Sequence, residues 1–173
     1  CHNCIGRGLS LAATINDQKN VLIVGPMFAK YGQKLWTPLQ QSDLSVPICG
    51  WHATSFRDLL DGALTFAKIW PADTVWVSKS RMPSILIGLI YRAIYGSKLI
   101  CDIDDDELAF VNSPEIENFD QFLSCFSPDE WNTPFSSSWT QLAQLLINEF
   151  DLITACNETL VKKHDATLIP HCR

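Results

Sequence analysis

Short apolar runs alternate with longer segments of helical periodicity along this chain, and that alternation constrains the fold more than any other feature. The runs are "NVLIVGP", "VPICGW", "TVWVSK", "KLICDI", "DLITAC" and "ATLIP". Their apolar residues are consecutive rather than alternating, which is typical of strands covered on both faces. The pattern therefore predicts an α/β fold in which helices cover both faces of a doubly wound parallel sheet.

Local signals set the expected limits of the elements. Gly25 and Pro26 are expected to end the first strand, since glycine and proline interrupt regular structure. Thr54 or Ser55 is expected to cap the helix that follows, and Gly96 to end the next one. We expect parallel strands near residues 21–24, 46–49, 74–77, 98–103, 151–156 and 166–169.

One segment, residues 107–138, does not fit the alternation. It contains five Phe residues, Trp131 and three Pro residues, and a connection this long in a compact domain is usually functional or flexible. Two interpretations stay open: the aromatic residues pack the insert onto the domain, or they form a platform for a sugar ring or a lipid-linked acceptor. We therefore expect one domain, residues 1–173, that carries an aromatic-rich insert.

Length, charge and cysteine usage exclude several classes of protein. A chain of 173 residues with a formal net charge of −6 suits one domain and argues against a nucleic-acid partner. No apolar run reaches the roughly 18 residues that a membrane-spanning helix needs. The seven cysteines are odd in number and scattered, which does not suit a disulfide framework. We expect a cytoplasmic protein, with peripheral membrane contact at most.

The run "KLICDI" leads into a dense acidic cluster. Because ligands bind at the carboxyl ends of parallel strands, this cluster is expected at the functional edge of the sheet. Asp104, with Asp105, would face the cleft and accept hydrogen bonds or a proton from a substrate hydroxyl. The alternative is the acidic first turn of a helix, which the helix dipole favours. The acidic cluster is Asp102, Asp104, Asp105, Asp106 and Glu107.

Three segments in this order resemble a known family. They are "IGRGLSLAATI…VLIVGP", "ADTVWVSKSRMPSILIGLIYRAIYGSKLICDIDDDE" and "FDLITACNETLVKKHDATLIPHCR". Together they resemble the N-terminal domain of GT-B glycosyltransferases of the family 4 type. The resemblance implies a Rossmann-like domain that holds the acceptor, facing a missing C-terminal domain that binds the nucleotide of the sugar donor. It implies hexosyl transfer from a nucleotide-sugar to a glycan or lipid-linked acceptor, without a further cofactor or a metal ion.

The resemblance also assigns residues. Asp104 falls on the catalytic-loop position, which is often His in relatives, and Asp105 follows it. Gly6 and Arg7 follow the position of the family's glycine-rich turn before the first helix. Gly6 would bind substrate, and Arg7 would pair with the donor diphosphate or would be a charge on the helix surface. Lys79, in a strand-end loop, would contact a phosphate or would be an ordinary solvated loop lysine, and Glu107 would bind substrate. The chain departs from the family where Asn3 and Cys4 replace paired glycines and where Cys172 replaces a glycine.

Other functions fit parts of the same pattern. A haloacid-dehalogenase-like phosphatase would use Asp102 as nucleophile and Asp104 as acid/base, but its further magnesium-binding loop is not recognisable. The metal-binding Asp-x-Asp of GT-A glycosyltransferases does not suit a doubly wound domain. A non-catalytic binding domain is the third alternative.

The resemblance finally implies that the chain is a fragment without its first strand, because "CHNCIGRGLS" reads as the turn and helix after that strand. In the strand order 3-2-1-4-5-6 the first strand is central. We therefore expect a gap, or a forced closure, between the strands near 21–24 and 74–77.

Overall fold

The computed structural model describes residues 5–28, 34–35, 46–111, 115–126 and 136–171. Among these residues, helices separate most of the strands along the chain, as the sequence predicts. The helices are α1 (Ile5–Asn16), α2 (Phe56–Ile69), α3 (Met82–Tyr95), α4 (Glu107–Phe110), α5 (Phe119–Cys125), α6 (Ser137–Leu146), which a 3-10 turn (Ile147–Glu149) extends, and α7 (Glu158–His164). The strands are β1 (Ile23–Phe28), β2 (Ile48–Ala53), β3 (Thr74–Ser78), β4 (Lys98–Ile103), β5 (Leu152–Ala155) and β6 (Thr167–Leu168).

All strand pairs in the described part of the chain are parallel. β1 pairs with β2, and β3, β4, β5 and β6 form a four-stranded sheet in that order. This arrangement confirms the predicted α/β, Rossmann-like parallel fold. Within the described residues no backbone ladder joins β1 to β3. The gap expected from an absent first strand stays a prediction.

The two faces of the larger sheet are covered by different helices. On one face α3 packs so closely that a Cβ added to Gly88 would lie 2.9 Å from a methyl group of Val77. On the other face α1 approaches until a Cβ on Gly8 would lie 3.0 Å from the Ser78 hydroxyl oxygen. Because neighbouring residues of a strand point to opposite faces, helices cover both faces of β3.

The main hydrophobic core lies between the larger sheet and helices α3 and α6. Trp139 of α6 is almost fully buried and meets the rings of Phe28 and Phe56 edge-on. Through these contacts α6 joins the two sheets and the start of α2 into one core, to which β4 contributes Cys101 and Ile103 as fully buried side chains. The cysteine therefore behaves as a small hydrophobic residue, and burial raises the pKa of the Cys101 thiol to about 12.

Local capping signals are confirmed at two helix ends. The Ser55 hydroxyl accepts a hydrogen bond from the Asp58 amide, and the Asp58 carboxylate accepts one from the Ser55 amide. These two bonds form a capping box on α2. Gly96 ends α3 in the left-handed conformation, at φ 68°. In the described part of the chain, no helix has the length and apolarity needed to cross a membrane.

One local expectation is wrong. β1 does not end at Gly25 and Pro26 but runs through both, pairing them with Gly50 and Trp51. Proline is tolerated because β1 has a ladder partner on only one side among the described strands.

The insert is not simply a loop, because its described residues include α4, α5 and the start of α6. Of its aromatic rings, Phe122 is buried and packs on Phe126. Phe110 and Phe119 are exposed. Trp131 and Phe135 lie outside the described residues.

Candidate functional site

A row of polar side chains crosses three strands of the larger sheet on the α1 face. The register places Ser78, Asp102 and Thr154 side by side. Asp102 is at the centre and almost fully buried, and the Thr154 hydroxyl donates a hydrogen bond of 2.7 Å to its Oδ1. A buried carboxylate needs a matching charge, and the sequence places that charge in α1.

Arg7, in the first turn of α1, supplies that charge. Its Nε and Nη2 donate to the two carboxylate oxygens of Asp102 at 2.7 and 2.9 Å, which is the two-pronged geometry of a strong pair. Nη2 also donates to the carbonyl of Ile169 at 2.7 Å, and Nη1 to that of Pro170 at 3.4 Å. Burial acts against the charge of Arg7, but the bonds and charge of Asp102 outweigh it and raise the pKa of Arg7. The contacts of Arg7 in this structure are with protein groups, and its expected role in binding a diphosphate stays a prediction.

Gly6 precedes Arg7 and is exposed, with open space around the position of a Cβ. The rest of the expected glycine-rich turn, Asn3 and Cys4, lies outside the described residues, as does Cys172. A role for Gly6 in binding substrate therefore also stays a prediction.

Lys79, the residue after β3, is held in an unusual backbone conformation. Its φ is 70°, in the left-handed region that residues other than glycine and asparagine seldom adopt. Its amide donates to the carbonyl of Asp102 at 2.9 Å, and its carbonyl accepts the amide of Arg81 at 2.8 Å. Such strain persists only where surrounding contacts hold it, and it is concentrated at functional sites.

The Lys79 ammonium lies between two carboxylates of the acidic cluster. Nζ is 3.0 Å from Oδ1 of Asp104 and 2.5 Å from Oδ2 of Asp105. Burial acts to lower the pKa of Lys79, but the bonds to Asp105 and Asp104 outweigh it, and the pKa is raised. Lys79 is therefore a permanent cation at neutral pH, and the structure brings together the three expected site residues Lys79, Asp104 and Asp105.

Glu107, the fourth expected residue of this cluster, begins α4 and is buried. Its Oε2 accepts a hydrogen bond of 2.8 Å from Nε of Arg81, whereas Oε1 has no hydrogen-bond partner among the described residues. Burial raises the pKa of Glu107, an effect that Arg81 and Lys79 only partly offset. One oxygen of this carboxylate is therefore available to a donor.

Asp106, the remaining member of the acidic cluster, and the loop that carries it are held by residues that follow β5 in the chain. Lys163 of α7 binds Asp106 at 3.0 Å. The Cys156 thiol, just after β5, donates to the carbonyl of Asp104 at 3.2 Å. The loop after β4 is thus fixed by side chains from α3's N-terminal cap, from the ends of β3 and β5, and from α7.

Among the residues that the structure describes, charge matching around the acidic cluster is incomplete by one. Each of three acidic residues, Asp102, Asp106 and Glu107, has a basic partner of its own. Asp104 and Asp105 share the single ammonium of Lys79. Within the described part of the chain, the two carboxylates that share one cation are therefore Asp104 and Asp105, at the carboxyl end of β4.

The same geometry identifies the residues that could hold a metal ion. One carboxylate oxygen from each of Asp104, Asp105 and Glu107 lies within 4.8 Å of the other two. Oxygen ligands at this spacing suit a hard divalent cation. The Lys79 ammonium already pairs with two of the three carboxylates, so a cation bound by all three would have to compete with it.

Sequence reasoning missed the basic and polar partners of the site: Arg81, Thr154, Cys156 and Lys163. Arg81 carried a signal, since it follows Lys79 by two residues in the same strand-end loop. The others did not, because Lys163 lies 57 residues from Asp106 and Thr154 lies 52 from Asp102. The contact of Cys156 with the Asp104 carbonyl became visible only in the structure.

Comparison with known proteins adds nothing to this description. No protein-family model, no curated protein and no solved structure matches the chain.

Proposed function

We propose that this chain is the acceptor-side domain of a GT-B-type glycosyltransferase, which transfers a hexose from a nucleotide-sugar to a hydroxyl group. The observation that carries the proposal is the surplus carboxylate at Asp104 and Asp105, beside the permanently charged Lys79. It lies at the carboxyl edge of a parallel sheet, where ligands of such folds bind. A nucleotide-binding partner domain, a glycan or lipid-linked acceptor and a cytoplasmic location belong to the same proposal.

In the proposed reaction, the oxygen of the acceptor hydroxyl forms a bond with the anomeric carbon of the donor sugar. The bond from that carbon to the phosphate oxygen breaks, and the nucleoside diphosphate leaves with the electron pair. Asp104 accepts the proton of the attacking hydroxyl. Lys79 loses one of its two carboxylate partners in that step and gains capacity to bind a phosphate or sugar oxygen.

The phosphatase alternative fits the surroundings of Asp102 less well. A nucleophile needs a free oxygen in reach of substrate. Asp102 is almost fully buried, with one oxygen bonded to Arg7 and the other to Arg7 and Thr154. An Asp102 nucleophile would first have to break this network, whereas Asp104 needs only to exchange a shared partner.

The test is a transfer assay on the full-length protein with a panel of UDP- and GDP-sugars. Asp104→Asn should lower turnover by about 10²-fold, because the amide cannot accept a proton. The matched control is Asp106→Asn in the same loop. Asp106 has Lys163 as a partner of its own, so this variant should keep the wild-type turnover. Equal turnover of Asp104→Asn and the wild type would overturn the proposal.

A second arm distinguishes metal-dependent chemistry. Transfer should survive EDTA, because GT-B enzymes stabilise the leaving diphosphate with helix N-termini and basic side chains. Complete loss of transfer on chelation, restored by Mn²⁺ or Mg²⁺, would instead favour a cation on Asp104, Asp105 and Glu107.

A further inference from the structure

Arg7 has contacts that are more extensive than pairing with one carboxylate requires. Its guanidinium joins α1 to Asp102 at the end of β4, and to the carbonyls of Ile169 and Pro170 just after β6. Asp102 in turn binds Thr154 on β5. The Arg7 side chain therefore connects α1 with the ends of β4 and β6, and Asp102 extends this connection to β5.

The same network is continuous with the candidate site. The backbone carbonyl of Asp102 accepts the amide of Lys79 and thereby fixes the strained turn after β3. Asp104 is two residues beyond Asp102 in the loop that the Lys79 ammonium holds. The orientation of the Asp102 peptide thus sets where both partners of the Lys79–Asp104 ion pair lie.

We propose that Arg7 is a positioning residue that couples the Lys79–Asp104 pair to the segment after β6. Arg7 orients Asp102, and Asp102 orients the turn of Lys79 and the loop of Asp104. The catalytic consequence rests on the proposed function, whereas the coupling itself does not.

Stability alone does not account for the choice of an arginine here. A buried ion pair is often no more stabilising than a well-packed apolar pair of similar volume. An arginine does, however, offer several donors in a rigid plane, and those of Arg7 reach Asp102 and two backbone carbonyls at once. A lysine in its place would keep the positive charge but could not place donors on Asp102 and on the backbone carbonyls in this geometry.

The first experiment compares Arg7→Lys with wild type by NMR titration of the Lys79 side chain. Arg7→Lys should shift the pKa of Lys79 down towards that of an ordinary lysine, because the ion pair with Asp104 loosens. Arg57→Lys is the matched control. Arg57 forms an exposed pair with Asp61 on α2, so this variant should leave the titration of Lys79 unchanged. A folded Arg7→Lys variant with the wild-type titration of Lys79 would overturn the proposal.

A second variant covers the case in which Arg7→Lys does not fold. The double variant Arg7→Met, Asp102→Leu replaces the buried ion pair by an apolar pair and leaves no buried charge unmatched. We expect it to fold and to show the same downward shift for Lys79. An unshifted Lys79 in the folded double variant would show that Arg7 supports the fold only.

A third measurement uses the wild-type protein and needs no substitution. The amide of Lys79 bonds to Asp102, and the amide of Ile169 bonds to the carbonyl of Ala155. If Arg7 couples the two segments, both amides should exchange through one opening, with equal opening free energies and equal dependence on denaturant. Opening of Ile169 at low free energy while Lys79 stays protected would contradict the coupling. None of these readouts involves sugar transfer, so they stand or fall independently of the proposed function.

Discussion

Two cation–carboxylate groups lie at the same edge of the larger sheet, and they are built in opposite ways. In the Arg7–Asp102 pair, one cation meets one carboxylate, both side chains are almost fully buried, and all the carboxylate oxygens have donors. In the group of Lys79, Asp104 and Asp105, one cation serves two carboxylates, and Asp105 is substantially exposed. The first group is complete without a ligand, whereas the second can exchange a partner.

The difference shows why a row of acidic residues is a poor guide to function by itself. Asp102 and Asp104 are two positions apart in sequence, yet Asp102 is bonded to Arg7 and Thr154 on the α1 face, whereas Asp104 shares the ammonium of Lys79 with Asp105. What separates them is the number of donors that each carboxylate receives from distant parts of the chain.

The largest expected effect comes from breaking the complete pair. Arg7→Met leaves the Asp102 charge buried without its partner and should lower the free energy of unfolding by about 3–5 kcal/mol. Urea unfolding measures this loss. The matched control is Arg57→Met, in a pair whose side chains are 88% and 65% exposed, and we expect a change within about 0.5 kcal/mol there. Similar losses in the two variants would mean that Asp102 is not a buried carboxylate that depends on Arg7 for its stability.

A smaller effect is expected from the backbone of Lys79. Lys79→Gly and Lys79→Ala both remove the ammonium, but only glycine adopts a φ of 70° without steric cost. Lys79→Gly should therefore be more stable than Lys79→Ala by about 1 kcal/mol in urea unfolding.

Gly96→Ala is the matched control for that comparison. Gly96 also has a positive φ, 68°, and a Cβ there would meet no other atom within 4 Å. Gly96→Ala should lower the free energy of unfolding by a similar amount, about 1 kcal/mol. Equal stability of the two Lys79 variants, with a clear loss at Gly96, would show that the turn after β3 is not held in the left-handed region.

The smallest effect is a dependence on pH. Because the pKa of Glu107 is raised in the folded state, the folded protein binds a proton there more tightly than the unfolded chain does. Its contribution to stability is fully present below the ordinary carboxyl pKa and is lost as pH rises through the raised value. The stability of wild type relative to Glu107→Gln should therefore fall as pH rises through that window, in urea unfolding at a series of pH values.

Asp58 provides the control of opposite sign. Hydrogen bonds from Thr54 and Ser55 lower the pKa of Asp58, so its contribution is present above the ordinary carboxyl pKa and is lost as pH falls through the lowered one. The stability of wild type relative to Asp58→Asn should rise with pH. Parallel pH trends for the two variants would contradict the assignment of Glu107 as a carboxyl destabilised by burial.

Much of the fold was predictable because its signals are local. The apolar run at residues 98–103 became β4 with those limits, and Ser55 and Gly96 cap the helices that they were expected to cap. The path of β1 through Gly25 and Pro26 was not predictable in this way. Whether a proline ends a strand depends on which side of that strand has a ladder, and the sequence of the strand does not contain that information.

The site was predictable only in part for the same reason. The sequence identifies the acidic cluster and its place at the end of a strand, because both features are contiguous. Which carboxylates of the cluster have a cation of their own depends on partners that are distant in sequence. Arg7 lies 95 residues from Asp102, and Lys79 lies 26 residues from Asp105. Strand register, rather than local pattern, decides that Asp102 faces α1.

The separation of β1 from β3 has a consequence for how the chain folds. The ladder between β1 and β2 is made within residues 23–53, and the four-stranded ladder is made within residues 74–168. Each ladder is therefore assembled from its own consecutive piece of the chain, and among the described strands no ladder joins the two. The strands of each ladder are joined by connections within its own piece of the chain. Because loop-closure entropy grows with the length of the loop, bringing these strands together costs less than it would for one ladder that spans the whole chain.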